Sequence, residues 1–281
     1  MKRLLRVGML ILVALSLAAP EDYAQDTNDE QSKIKLWHLR NGKYDDMVAR
    51  FDKATGMRHR SASAYFERGL VALKEHDPDK AILNFGRAIK LKNNYPEAYV
   101  NLGVAYTGKG LLNDAIECYT KAIELDPGLA LAYFHRAMVF SYRGELDKAI
   151  LDLDRAIESK PDYAEAYYER AGLYHEKQEP DKAMADLDEA IAINPDYTDA
   201  YHARGGEYAG KGEFDPAISD FTKAIQLNPD RAATRHFRAV AFFMKEEYGK
   251  SWADVHKAES MGYQFDPKFL DDLKEKSGRK E

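Results

Sequence analysis

Residues 98–127 read AYVNLGVAYTGKGLLNDAIECYTKAIELDP, and this stretch decides the fold. It is two short helical patterns joined by a glycine-containing turn and closed by Asp-Pro. The outline returns from Ala132, Ala166 and Ala200, each time 34 residues on. Tyr99, Tyr133, Tyr167 and Tyr201 recur at that interval, as do Ala122, Ala156, Ala190 and Ala224, and Pro127, Pro161, Pro195 and Pro229. A fixed period of this length predicts an all-α solenoid of stacked antiparallel helix pairs, with its core running along the stack.

Six units share one frame: 62–95, 96–129, 130–163, 164–197, 198–231 and 232–265. The fourth position is Tyr65, Tyr99, Tyr133, Tyr167 and Tyr201, with Arg235 the exception. The eighth is small (Gly69, Gly103, Ala137, Ala171, Gly205, Ala239), and the eleventh is aromatic in all but the first unit, which has Ala72. At helical spacing these three positions share one face, so the small residue lets a partner helix approach and the rings fill the space around it. Gly110, Gly144 and Gly212 mark the inner turn. Asp79, Asn113, Asp147, Asp181 and Asp215 then stand where an N-cap of the second helix is expected, and Pro216 fits the first helical position. The second helix presents a recurrent alanine pair around an apolar or aromatic residue, and the prolines near position 32 end it.

Working outward, residues 32–61 form a degenerate first unit, with Gly42 and Tyr44 in a turn and Val48 and Phe51 on one helical face. The sixth unit departs furthest: Ser251 and Trp252 replace an Ala-Ile pair, Gly249 the expected cap, and no proline closes it. Residues 266–281 read as a capping helix, over 267–276 with Phe269, Leu270 and Leu273 on one side, followed by a frayed tail from Ser277.

Lys2, Arg3 and Arg6 precede an apolar run over 7–19, with Ser16 and Ala18 two apart. This predicts a secretory signal peptide over 1–18, with 1–24 the poorer alternative, and a polar leader over 19–31. The run is short for a membrane span, and a retained anchor is the other reading. Cleavage after Ala18 leaves 38 basic side chains against 47 acidic ones, from a starting net charge of −6. No basic run lies outside the N-terminus, so nucleic acid is excluded as the expected partner. The single cysteine, Cys118, supplies neither an internal disulfide nor a cysteine metal cluster, and reads as a small half-buried residue.

The chain resembles the tetratricopeptide repeat family. The second unit carries the family outline most fully, in Tyr99, Gly103, Tyr106, Ala115, Tyr119, Ala122 and Pro127. The resemblance implies a right-handed superhelix whose first helices line a concave groove that holds a peptide or partner protein, without catalysis. Groove residues expected on that basis are Phe66, Leu70, Val100, Asn101, Val104, Phe134, Met138, Tyr168, His175, His202 and His236. Lysine is missing at position 5, and only Asn101 fits the carboxylate-binding set of some family members. Glu97, Glu165 and Asp199 favour a basic or neutral segment instead.

Where many members of the family have an apolar residue at position 7, five units here carry Arg68, Arg136, Arg170, Arg204 and Arg238, while the second carries Leu102. Position 23 reads Asn84, Cys118, Asp152, Asp186, Asp220 and Asp254. The unit without the arginine is the unit without a carboxylate or amide, so each arginine is expected to bridge the two helices of its own unit, five times in all and four times to a carboxylate. An Arg170 guanidinium nearer Asp154 or solvent than Asp186 would end that hypothesis. The rival reading is independent solvated charges in register.

Three histidines, His175, His202 and His236, fall on the C-terminal half of the groove, but no His-x-x-x-His, nucleophile elbow or phosphate loop is present. No metal, cofactor or catalytic residue is expected, and the histidines read as tuning binding near neutral pH. The expected function is an exported, periplasmic, non-catalytic scaffold or adaptor. The alternative is an envelope-assembly subunit acting through its outer face or ends, and a metal enzyme is the remotest reading.

Overall fold

The computed structural model describes residues 61–278; the expected signal peptide, leader and first degenerate unit, and the last three residues, lie outside them. The described body is all helical. Its first helices are α1 (Ala62–Lys74), α3 (Pro96–Gly108), α5 (Ala130–Tyr142), α7 (Ala164–Glu176), α9 (Thr198–Gly210) and α11 (Ala232–Met244). Their partners are α2 (Pro78–Leu91), α4 (Leu112–Leu125), α6 (Leu146–Ser159), α8 (Pro180–Ile193), α10 (Phe214–Leu227) and α12 (Tyr248–Glu259), and α13 (Pro267–Ser277) follows. Each helix packs on the next in sequence, and first helices of some neighbouring repeats also touch, as α1 does α3, α3 does α5 and α9 does α11.

Close approach inside a pair follows a volume rule. Glycine at position 8 meets a ring at position 24 in Gly69–Phe85, Gly103–Tyr119 and Gly205–Phe221, whereas Ala137, Ala171 and Ala239 belong to units with Leu153, Leu187 and Val255 there. A Cβ added to Gly103 would stand 2.5 Å from Cε1 of Tyr119, and one on Gly205 2.7 Å from Cε1 of Phe221. The ring takes the space that a methyl group fills beside an aliphatic side chain.

Every first helix closes in the same way. Leu111 N–H donates to Tyr106 C=O at 2.9 Å and Gly110 N–H to Thr107 C=O at 2.9 Å, the paired bonds of a Schellman cap. The residue between them is left-handed: Gly110, Gly144 and Gly212 at φ of 73°, 71° and 77°, but His76, Gln178 and Glu246 in the other repeats at 57°, 59° and 61°.

The expected N-caps need correction. Asp79, Asn113, Asp147, Asp181 and Asp215 are the second residue of their helices, inside the first turn, and Pro216 is the third residue of α10. At position 18 these side chains sit near the helix N-terminus, where negative charge is favoured, and reach position 14 of the following repeat. Lys109 donates to Asp79 at 2.5 Å, Arg143 to Asn113 at 3.0 Å, Lys177 to Asp147 at 2.5 Å and Lys211 to Asp181 at 2.6 Å, and Lys245 donates to Asp215. Only α2 among the second helices has a side-chain N-cap, Asp77, which accepts from Lys80 N–H at 3.0 Å.

At the C-terminal end, Leu273 of α13 is fully buried against Ala239, Trp252, Val255, Ala258 and Phe265. Ser277 is helical rather than frayed, because its Oγ accepts from Trp252 Nε1 at 3.1 Å. Ser251, in place of the usual alanine, donates to Ala239 C=O at 2.8 Å across the helix pair.

Candidate functional site: the inner wall of the first helices

Positions 4, 8 and 11 of a first helix point at its partner, so at 100° per residue positions 2, 6, 9 and 13 lie on the opposite side. That stripe, turned away from the partner helices, is the expected inner wall. On α5 it is Leu131, His135, Met138 and Tyr142, and on α11 Ala233, Phe237, Val240 and Met244. Between them α7 carries Glu165, Glu169, Gly172 and Glu176, and α9 carries Asp199, Ala203, Gly206 and Gly210. Four large apolar side chains of the two outer stripes stand in solvent: Leu131 is 42% exposed, Tyr142 82%, Phe237 44% and Met244 54%.

The expected groove residues divide. Leu70, Val104 and Met138 are on the stripe and half-buried, and Asn101 is there too, its Nδ2 donating to Glu97 C=O at 2.8 Å. His175, one position off the stripe, is exposed and lies 2.6 Å from Glu207 through Nδ1. The position-5 residues are turned aside. Val100 is only 1% exposed and packs in a cluster with Leu129. Phe66 lies 5.0 Å from Tyr95, Phe134 5.0 Å from Tyr163, Tyr168 5.1 Å from Tyr197 and His236 5.2 Å from Phe265, centroid to centroid. Each pair joins position 5 to position 34 of its own unit, so these side chains close the seam between repeats and leave positions 2, 6, 9 and 13 as the surface. Tyr142, Phe237 and Met244 were missed in the sequence, although counting round the helix from the packed face singles out their positions.

The histidines also need correction. Burial pushes His202 down to about 4, helped by Arg231, and burial alone pushes His236 down. His202 accepts from or donates to Thr234 at 3.1 Å and packs against Phe221 and Phe237. These two rings are neutral packing groups, so they do not tune binding near neutral pH. Among the described residues no three His, Cys, Asp or Glu side chains are grouped to hold a metal ion.

The stripe of α7 has the opposite character. Burial raises the pKa of Glu169, and among the described residues no cation lies within ion-pair distance of Glu165, Glu169 or Glu176. Tyr197 is raised by burial and then by Tyr168, Glu169, Glu165 and Asp199, which places these carboxylates in one electrostatic neighbourhood. Asp199 itself is bonded to Arg231.

Family models described as tetratricopeptide repeat match residues 38–91, 96–129, 134–198 and 198–231, and a further TPR repeat model matches 77–110. The solved MamA protein is 33% identical, with a TM-score of 0.53 over 63% of this chain and 96% of its own. TTC0263, a thermophilic TPR protein of Thermus thermophilus, is 26% identical, with a TM-score of 0.51 over 65% of this chain and 99% of its own. YrrB, a TPR protein with an unusual peptide-binding site, is 24% identical, with a TM-score of 0.55 over 63% and 91%. No curated protein matches the sequence. The chain belongs to the tetratricopeptide repeat family.

Within this tetratricopeptide repeat stack, the arginines do more than join two helices. Arg136 grips Asp152 through Nε and Nη2 at 2.8 and 2.8 Å, Arg170 grips Asp186 at 2.8 and 2.7 Å, Arg204 grips Asp220 at 2.7 and 2.8 Å, and Arg238 grips Asp254 at 2.7 and 2.7 Å. Each Nη1 crosses to position 25 of the preceding repeat: Thr120 at 2.9 Å, Asp154 at 2.5 Å, Asp188 at 2.6 Å and Thr222 at 2.9 Å. The shortest contact of Arg170 is thus to Asp154, against the expected pairing within its own repeat alone, while its two-pronged pairing is with Asp186, so the guanidinium joins its own repeat to the preceding one. A fifth bridge is absent among the described residues, since Asn84 donates to Lys80 C=O at 2.8 Å and Arg68 lies over the Tyr65 ring at 5.3 Å. Burial opposes the charge on Arg170, but its two carboxylates outweigh it and raise its pKa.

Proposed function

We propose that this protein is an exported, non-catalytic scaffold or adaptor that holds a segment of a partner protein along the inner wall. The observation that carries the reading is the exposure of Leu131 and Tyr142 on α5 and of Phe237 and Met244 on α11, at equivalent positions on either side of α7 and α9. Several large apolar side chains on a shared wall, with carboxylates between them, match what an interaction surface needs and a solvated surface does not. Export rests on Lys2, Arg3, Arg6 and the apolar run over 7–19, with a periplasm as destination.

A photo-crosslinking residue at Tyr142 or Met244, introduced in the native host, tests the reading against one at Leu83 or Leu151 on the outer helices. Partner adducts from the inner sites are expected. Adducts from the outer sites alone would replace the adaptor with a subunit that assembles through its outer face. Cell fractionation with N-terminal sequencing of the mature protein tests export, and an uncleaved cytoplasmic product would remove it.

A further inference from the structure

The inner wall changes character along its length, and the change describes an occupant. The α5 stripe is apolar, the α7 stripe carries three carboxylates, the α9 stripe is nearly bare and the α11 stripe is apolar again. Built Cβ atoms on Gly172 and Gly206 meet nothing within 4 Å, and both glycines are exposed. Open space therefore lies in front of α7 and α9, between walls that carry Tyr142 on one side and Phe237 with Met244 on the other.

A part-buried, unpaired carboxylate, Glu169, distinguishes this space from an ordinary acidic surface. The exposed acids of position 18 are each matched with a basic side chain of the next repeat, and Asp199 is matched with Arg231. The glutamates of α7 are unmatched, and Glu169 is one of them although burial already disfavours its charge. A carboxylate held partly out of water with no counter-charge is stabilised by a cation arriving from outside. The apolar walls beside it gain from a bulky hydrocarbon or aromatic side chain.

We propose that the α7–α9 recess receives a segment of a partner protein in which arginine or lysine adjoins a large apolar residue, the cation meeting Glu165 and Glu169, one helical turn apart, with Glu176 adding to the negative field, and the apolar side chain meeting Tyr142, Phe237 or Met244. This rests on the inner-wall reading above and adds the chemistry of the segment. Acidic segments are rejected by the same three carboxylates, since like charges across an interface disfavour association.

The test is selection of displayed random peptides on the full chain, followed by affinity measurement with a synthetic copy of the selected sequence. Peptides that join arginine or lysine to leucine, phenylalanine or tryptophan are expected. Their affinity should fall about tenfold in the E165Q/E169Q/E176Q variant and fall as salt is raised. The three glutamines keep the size and helix preference of the residues they replace, and unchanged circular dichroism confirms the fold. Neutral or acidic peptides whose binding is lost in Phe237→Asp but not in the triple variant would overturn the cationic assignment and leave the inner-wall reading standing. Peptides that bind both variants as well as the wild type, or no selected peptide at all, would overturn both.

Discussion

Nη1 of Arg170 lies 2.5 Å from Oδ1 of Asp154 across a repeat boundary, while Nε and Nη2 hold Asp186 of the same repeat at 2.8 and 2.7 Å. One guanidinium therefore ties three helices, α6, α7 and α8. Asp186 is buried and Asp154 is half exposed, so the two bonds differ in worth. Asp186→Ala leaves a largely desolvated cation without its main partner and is expected to cost about 3–5 kcal/mol, whereas Asp154→Asn costs about 0.5–1 kcal/mol. The second repeat shows an apolar solution to the same site in Leu102 and Cys118, which pack together. The R170L/D186C pair should accordingly recover most of the loss. Urea unfolding, with amide exchange of α7 and α8, measures all three, and equal losses for the two single variants would contradict this account.

Gly205 and Gly206 are neighbours in α9 with opposite surroundings. A methyl group on Gly205 runs into the Phe221 ring, and one on Gly206 meets nothing. Gly205→Ala is expected to destabilise by about 1–3 kcal/mol through overpacking. Gly206→Ala is expected to stabilise by about 0.5–1 kcal/mol by removing a mid-helix glycine. G205A/F221L copies the Ala137–Leu153 combination and should lie above G205A. Thermal melts of the three variants decide it, and a shared sign for the two single changes would refute the volume rule.

The helix pairs were legible because a 34-residue recurrence constrains positions 4, 8 and 11 together, and chance does not keep three positions in step. Position 8 was legible as small, but its division into glycine with a ring and alanine with an aliphatic chain emerges only when Cβ is set against Phe221 or Tyr119. The bridging arginines were visible through the joint departure of Leu102 and Cys118. Their third bond was not, because position 25 reads Gly86, Thr120, Asp154, Asp188, Thr222 and His256 and shows no single residue type. The packing role of position 5 was not legible, since Phe134 and Tyr168 read as groove residues and are half-buried at the seam between repeats. Tyr163 and Tyr197, 29 residues downstream, cover them, and a contact between a first helix and the loop leading to the next one leaves no helical periodicity to read.

His202 gives the stack a dependence on pH. Its ordinary value is about 6.5 and burial, with Arg231 nearby, lowers it to about 4 in the folded protein. Above pH 6.5 the ring is neutral folded or unfolded, and its full contribution is present. As pH falls from about 6.5 towards about 4, the unfolded chain takes up the proton first, so the folded state loses stability through that window. His202→Gln, which keeps a polar partner for Thr234, should flatten the fall of the urea midpoint between pH 7 and pH 5. An unchanged slope would show that the ring is solvated, contrary to its packing on Phe221 and Phe237.

The C-terminal end depends on α13. Leu273 is fully buried, and Trp252 sits beneath the helix with its indole N–H on Ser277. In a linear stack each repeat is held by its neighbours, so loss of an end cap loosens the last repeat first and leaves distant ones intact. Leu273→Ala is expected to cost about 2–5 kcal/mol locally. Removal of residues 266–281 should open α11 and α12 while α3 to α8 keep their protection. The only other tryptophan, Trp37, is replaced by phenylalanine so that emission reports Trp252 alone. A red shift of that emission, with amide exchange speeding up in α11 and α12 only, is the expected result. Unchanged emission would mean that α13 does not shield Trp252, and uniform loss of protection along the chain would mean that the stack unfolds as one unit.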